Sequence, residues 1–463
     1  MSADHDRPLW GSRVRSPLKP AAAALSSSTA VDRPLAAYDV AASRVHVAEL
    51  HRLGLLADDG RDRLDAALAE VAEQLDDGSF AWDEAHEDVH MNVEAAIRDR
   101  VGPELAGQLQ AGRSRNDEIV TDERLWLLDA MRQLDNGLHR LQATVVRRAN
   151  EEIETVLPAH THTQPAQPML LSHHLLAHVE ALDRDRERLA GATARVDRSP
   201  AGSAASVGSG LPLDREAVAT ALGFSGVTTN SLDAVADRDY AVEVIGACST
   251  AFIHLSRLAA DFVLWSTPYF GFVRISDGYA TGSSMLPNKR NPDVAELVRG
   301  RAARANGALA GMLGLLTGLP LGYHRDLQEL RGPMLETVES LALCLEAIDG
   351  MVAEATFDPD RMAEAASSGH ALATALAERL LAAGVPFRDA HWRVGELVTE
   401  AEVRGCDLSE LPDVRLREAL PELADHEPMI PSLADAIANA DVIGGTAPAR
   451  VRQALKIAKE RLG

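Results

Sequence analysis

Aromatic residues are scarce in this chain, at 4% of 463 residues. Strands recruit β-branched and aromatic side chains, whereas helices recruit the Ala, Leu, Glu and Arg that abound here, so a sheet-dominated fold is disfavoured. Cysteine is nearly absent. Cys248, Cys344 and Cys406 stand far apart with no CxxC pairing, which argues against a disulfide framework or a cysteine zinc site and points to a reducing compartment. Positive charge is in deficit, leaving a net charge of −23. An acidic surface of that size repels nucleic acid and anionic membranes, so neither is expected as a partner. No apolar run lies between Asp4 and Pro20, so no signal peptide is expected. The most apolar stretch, Gly307 to Gly322, is broken by Gly, Thr and Pro and falls short of a membrane span. It reads as a buried helix ending at Gly318, and the expected location is cytoplasmic. GxSxG and phosphate-loop patterns are missing, and Gly208-Ser209-Gly210 is a lone GxG with no strand before it, so nothing supports dinucleotide binding.

What is present is an ordinary globular balance, 46% apolar and 25% charged, in a chain too long for one core. Residues 1 to about 35 read as an irregular arm. Helical spacing of apolar residues runs from Tyr38 to Leu56 and again from Leu64 to Leu75. Residues 116–156 contain no Gly or Pro except Gly137, and similar long runs cover 172–198, 233–266, 293–316 and 334–355. Between them lie breaker-rich segments at 158–168, 199–212, 277–292 and 319–333, read as loops on a rigid scaffold. From about 358 the helices shorten and Pro-rich joints appear. The expected fold is all-α with three helical domains: 1–111, a long-helix bundle at 112–357, and 358–463.

Four short segments concentrate groups that packing does not need. Gly112-Arg113-Ser114-Arg115-Asn116-Asp117 sets two arginines at the start of a long helix, whose free N–H groups attract carboxylates; a simple N-cap with solvated arginines is the competing reading. His160-Thr161-His162-Thr163-Gln164-Pro165-Ala166-Gln167-Pro168 reads as a polar loop around a titratable group, or as plain surface. Thr281 to Pro292 couples Gly282 and two serines to Lys289, Arg290 and Asn291, cations placed to meet a developing negative charge. Tyr323 to Arg331 brings Tyr323, Gln328 and Arg331 to one surface if it turns as a helix. His174 and His178, four apart on a helix, could ligate a metal, but no carboxylate or cysteine completes the set at a familiar spacing. They read as a packed or solvated face, and no metal is expected.

Together the four segments resemble the argininosuccinate lyase branch of the fumarase/aspartase superfamily. Gly282-Ser283-Ser284 with Pro287, Lys289, Asn291 and Pro292 is similar to the superfamily's mobile signature loop. Gly112 to Asp117 and Tyr323 with Asp326-Leu327-Gln328 are similar to the branch's GRSRND and YxxDLQ segments. Agreement extends in order through Leu9-Trp10-Gly11, Asp32-Arg33, Glu87-Asp88-Val89-His90, Asp237-Arg238-Asp239, Gly384 to Arg388 and Gly444 to Pro448.

The resemblance implies a homotetramer with a twenty-helix core and active sites shared by three subunits. It implies a small-molecule substrate and reversible release of fumarate from argininosuccinate, with no metal or organic cofactor. Ser283, His162, Lys289 and Glu296 are the implied catalytic set, with Glu296 polarising His162. Substrate contacts are implied for Ser28, Arg113, Ser114, Asn116, Thr161, Gln167, Asn291, Tyr323, Gln328 and Arg331. Which of Ser283 and His162 is the base stays open; Ser283 is favoured because the loop cations would lower its pKa and loop closure would exclude water. Thr163, Pro165, Asn288, Leu330 and Arg331 depart from the branch's pattern. They leave the fumarate-forming groups intact but touch the neighbourhood of the leaving amine. Two alternatives therefore stand beside argininosuccinate cleavage: a paralogue acting on another N-substituted aspartate, and a silent, crystallin-like structural protein.

Overall fold

A computed structural model describes residues 18–463; the Leu9-Trp10-Gly11 motif and the first half of the expected arm lie outside them. Among the described residues five helices run for 24 to 37 residues: Arg115–Glu151, Leu171–Val196, Asp239–Trp265, Asp293–Leu316 and Arg331–Glu354. At 1.5 Å per residue the first is about 55 Å long. Its one glycine has a packing reason. A Cβ on Gly137 would sit 3.2 Å from Leu345 Cδ1, so the bare backbone lets the Arg331–Glu354 helix approach closely. Among the described residues, strands form only two-stranded antiparallel ribbons.

The chain separates into two compact units, and the residues of all five long helices are divided between them. Of the described residues, the first comprises 18–132, 189–246 and 307–339. Here Ala36–Arg52, Asp58–Asp76 and Val89–Val101 pack around Leu50, Leu64, Leu68 and Ile97. The second comprises residues 133–188, 247–306 and 340–463. Its C-terminal helices Ala373–Ala382 and Phe387–Arg404 enclose Leu376, Leu380 and Leu397.

Three expectations need correction. The arm is not irregular from residue 20 onward: Pro20–Ser26 and Thr29–Asp32 are helical, the first with proline at its opening position, where its missing N–H costs nothing. The 158–168 loop is a hairpin of Val156–Thr161 and Gln164–Leu170. Its prolines are tolerated because a two-stranded ribbon consists only of edge strands. Finally, the apolar Gly307–Gly322 stretch is helical only to Leu316, and between Gly307 and Leu316 Met312 alone is buried. Hydropathy marks the stretch as apolar, but its helix lies largely at the surface. The Asp239–Trp265 helix is long and apolar enough to cross a membrane, yet half of its most apolar window is buried. Phe252 and Phe262 lie wholly inside, the pattern of a core helix.

Candidate active site

In the first unit, the Arg115–Glu151 helix opens on Ser114. The Ser114 hydroxyl accepts from Asn116 N (3.3 Å), and the Asp117 carboxylate accepts from Ser114 N (2.9 Å). This reciprocal cap satisfies amides that a helix start leaves bare. The other Asp117 oxygen accepts from Gly202 N and Ala204 N, and Asn116 Nδ2 donates to Ala205 O (3.0 Å). Asn116 and Asp117 thus hold the 202–205 turn against the helix start.

The two arginines of this segment go different ways. Arg115 faces a cleft of about 380 Å³, lined also by Asn116, Tyr323, Gln328 and Arg331. Arg113 lines a separate small cavity with His46; its guanidinium donates to Ser43 Oγ (3.0 Å) and pairs with Glu118 (3.1 Å). Arg113 is nearly covered and Arg115 is half-buried, and both are ion-paired. Arg115 pairs with Asp88 at 2.6 Å, which holds the guanidinium charged against the cost of burial.

Beneath the cleft is a bed of buried charge. Arg331, 2% exposed, pairs with Asp32 at 2.6 Å, and Arg238 pairs with Glu123 at 3.0 Å. Tyr240 donates to the same Glu123 carboxylate (2.8 Å). Burial raises the Asp32 carboxyl pKa, and Arg331 and the Ser28 hydroxyl oppose that rise. Burial likewise raises the Tyr323 phenol, so it remains protonated as a donor. Ser28 itself is buried, its hydroxyl donating to Asp32 and its N–H to Glu87 O (2.8 Å). Arg325 pairs with Glu87 and donates to Ser26 O (2.7 Å). Every arginine of this group already meets a carboxylate, so what it offers an anion is the remaining N–H donors rather than bare charge.

The second unit carries the proton-transfer candidates. Thr161 pairs with Gln164 in register, which puts His162 and Thr163 in a two-residue turn at φ 54° and 60°. Two successive left-handed residues define the turn that matches strand twist. Here they are not glycine, and such strain is characteristic of functional positions. The turn projects the exposed His162 away from the ribbon; Gln167 is exposed on the second strand.

The serine segment is also a small ribbon, with Thr281 paired to Asn291 and Gly282 to Arg290. Asn291 Nδ2 donates to Thr281 Oγ1 (3.5 Å), whose hydroxyl in turn bonds Asp293. Arg290 is committed to Asp277 and Ile275 O. The Ser283 hydroxyl oxygen accepts two backbone N–H groups, Met285 N at 3.3 Å and Leu286 N at 3.0 Å. Lys289 is exposed at the loop's far side and has no ion-pair partner among the described residues. Glu296 lies in the first turn of Asp293–Leu316 and, among the described residues, makes no hydrogen bond to His162. Ser283, His162 and Lys289 therefore share one unit, and a cleft of amide, phenol and guanidinium donors occupies the other.

Sequence reasoning left Asp32, Glu87, Asp88, Glu123, Arg238 and Tyr240 without roles. The signal was there for some: Asp32-Arg33, Glu87-Asp88 and Asp237-Arg238-Asp239 stood out as motifs, and each supplies a charge to the cleft or its bed.

Comparison with known proteins decides the lineage. A lyase family model matches residues 12–307, and one for the argininosuccinate lyase C-terminal region matches residues 370–438. An argininosuccinate lyase from Mycolicibacterium paratuberculosis is 45% identical over 98% of both chains. The chain belongs to the argininosuccinate lyase family. A second relative, the argininosuccinate lyase of Mycobacterium avium, is 46% identical over 96% of this chain and 94% of its own. Among solved structures, an EDDS lyase variant with bound fumarate superposes with a TM-score of 0.82. It is 26% identical, over 95% of this chain and 88% of that one. Membership of the argininosuccinate lyases makes this chain a carbon–nitrogen lyase, and its all-helical fold is the superfamily's.

Proposed function

We propose that this chain cleaves argininosuccinate reversibly to L-arginine and fumarate, and that Ser283 is the base. The observation that carries the second part is the pair of amides on the Ser283 oxygen. Two N–H donors stabilise an alkoxide without a charged partner. In this scheme Ser283 Oγ takes the proton from the succinyl carbon beside a carboxylate. The electron pair left behind spreads into that carboxylate as a dianion, which Lys289 and Asn291 stabilise as it forms. The pair then closes the new carbon–carbon double bond while the C–N bond breaks. His162 delivers the second proton to the departing guanidino nitrogen, so charge and atoms balance. Glu296 orients His162. Thr161, Gln167, Ser28, Ser114, Asn116, Tyr323 and Gln328 hold the substrate, with Arg113, Arg115 and Arg331 setting the field around it.

We also infer a homotetramer with composite sites, a cytoplasmic location and the three-part division at 111/112 and 357/358. Exposed apolar side chains on long helices support the first: Leu297 (64%), Leu313 (52%) and Leu343 (54%) face outward, where water is a poor neighbour. The two self-contained cores at 40–109 and 372–430 support the last. A second reading, another N-substituted aspartate as substrate, draws on the likeness to an EDDS lyase variant with bound fumarate. The test is purified protein with argininosuccinate and, separately, other N-succinyl amines, following fumarate. Turnover of argininosuccinate alone supports the proposal, turnover of a relative alone supports the second reading, and none from a folded protein supports a silent structural role.

A further inference from the structure

The histidine pair set aside in the sequence acquires its missing ligand in the fold. His174 and His178, one turn apart on the Leu171–Val196 helix, both bring Nε2 to the same oxygen of Asp261 on the Asp239–Trp265 helix, at 2.7 and 3.0 Å. The carboxylate comes from 83 residues along the chain from His178, beyond any local spacing rule. We propose that His174, His178 and Asp261 form a binding site for a divalent first-row transition cation, separate from the elimination machinery.

The donor set carries the argument. Two imidazoles and one carboxylate suit zinc, cobalt or nickel, whereas an all-oxygen set suits magnesium or calcium. Three protein ligands leave further positions for water. Tetrahedral zinc, with bonds of about 2.0–2.1 Å, separates its ligands by roughly 3.4 Å. The observed contacts are shorter by about half an ångström, so slight side-chain rotation seats the ion where hydrogen bonds now lie. All three ligand atoms lie within 4.8 Å of one another. The ligands stand on two long helices rather than loops, and the Trp265 ring packs on His174 with centroids 4.8 Å apart, fixing the plane of that imidazole.

Access separates this cluster from the other one the fold assembles. The side chains of His174, His178 and Asp261 retain 24%, 14% and 27% of their exposure, so an ion can enter and keep water ligands. Asp39, His90 and Asp122 are also mutually close, but all three are fully buried and joined to the ionic bed beneath the cleft. That cluster has no route for an ion and belongs to the site already described.

The test uses the full chain, stripped with a chelator and titrated with CoCl2, then with ZnCl2 in competition. The expected result is a visible cobalt absorption that saturates at one ion per chain and is displaced by zinc. His178→Gln and Asp261→Asn are each expected to weaken binding at least tenfold while helical circular dichroism is unchanged. Absence of a saturable one-per-chain signal in the wild-type protein overturns the proposal, with no variant needed. So does full-strength binding in both variants, which places the ion elsewhere.

Discussion

Substituting Arg331 by Met tests whether this arginine belongs to the fold or to the substrate. Its guanidinium is 2% exposed, Asp32 is 0% exposed, and the two are 2.6 Å apart. Removing one partner of a buried pair strands the other charge and costs about 3–5 kcal/mol, against 0.2–1 kcal/mol for an exposed pair. Asp32 keeps the Ser28 hydroxyl as a donor, so the lower end, about 3 kcal/mol, is expected. Asp32→Asn removes the carboxylate charge, and the double variant then loses less than the sum of the singles. The expected coupling is about 2 kcal/mol, within the range measured for residues in direct contact. Urea unfolding of the four proteins at one fixed concentration, read by tryptophan fluorescence and circular dichroism, supplies the cycle. The reasoning is refuted if each single variant costs under about 1 kcal/mol and the effects add within about 0.5 kcal/mol. In that event a rise in KM for Arg331→Met without lost stability makes the guanidinium a substrate ligand.

Further outcomes follow from other residues. Ser283→Ala is expected to lower kcat by about 10²–10⁴-fold with little change in KM and the same oligomer by light scattering; unchanged kcat leaves Ser283 without a role as base. His46 lies in the cavity beside Arg113, and burial together with that guanidinium lowers its pKa from 6.5 to about 4. The unfolded chain therefore takes up the proton first as pH falls. Stability is full above pH 6.5 and declines towards pH 4 by on the order of 3 kcal/mol from this group. His46→Gln, which can still donate to Ala111 O, is expected to flatten that part of the pH profile; an identical slope in both proteins contradicts it. A Cβ on Gly350 would fall 1.8 Å from the Tyr279 hydroxyl, two residues before the serine ribbon begins. Gly350→Ala is expected to displace that ring, costing about 1–3 kcal/mol and reducing activity; a more stable, fully active variant shows the ring can move freely.

The helices were legible because their signal is local. Breaker-poor runs placed 293–316 to the residue and 116–156 to within five residues. The candidate proton-transfer groups stand out as clusters of chemistry in short loops, and the fold keeps Ser283, Lys289 and Asn291 on one ribbon and the loop it carries. What stayed hidden depends on distant partners. The hairpin around His162 lacks the glycine or asparagine that normally marks its turn, since Thr163 adopts the left-handed backbone instead. The ionic bed joins Asp32, Glu123, Arg238 and Arg331, residues 91 to 299 positions apart in the chain. Asp261 completes the histidine pair from another helix. The exposed apolar face at 307–316 misled for a related reason, since hydropathy alone does not fix where in the fold a segment sits.

As a member of the argininosuccinate lyases, this chain takes argininosuccinate as substrate and releases fumarate. Purified full-length protein incubated with argininosuccinate, with arginine and fumarate quantified over time, tests it most directly. The two products are expected in equal amounts, and Ser283→Ala is expected to release neither at a comparable rate. Fumarate from another N-succinyl amine but not from argininosuccinate, with the wild-type protein folded, contradicts it.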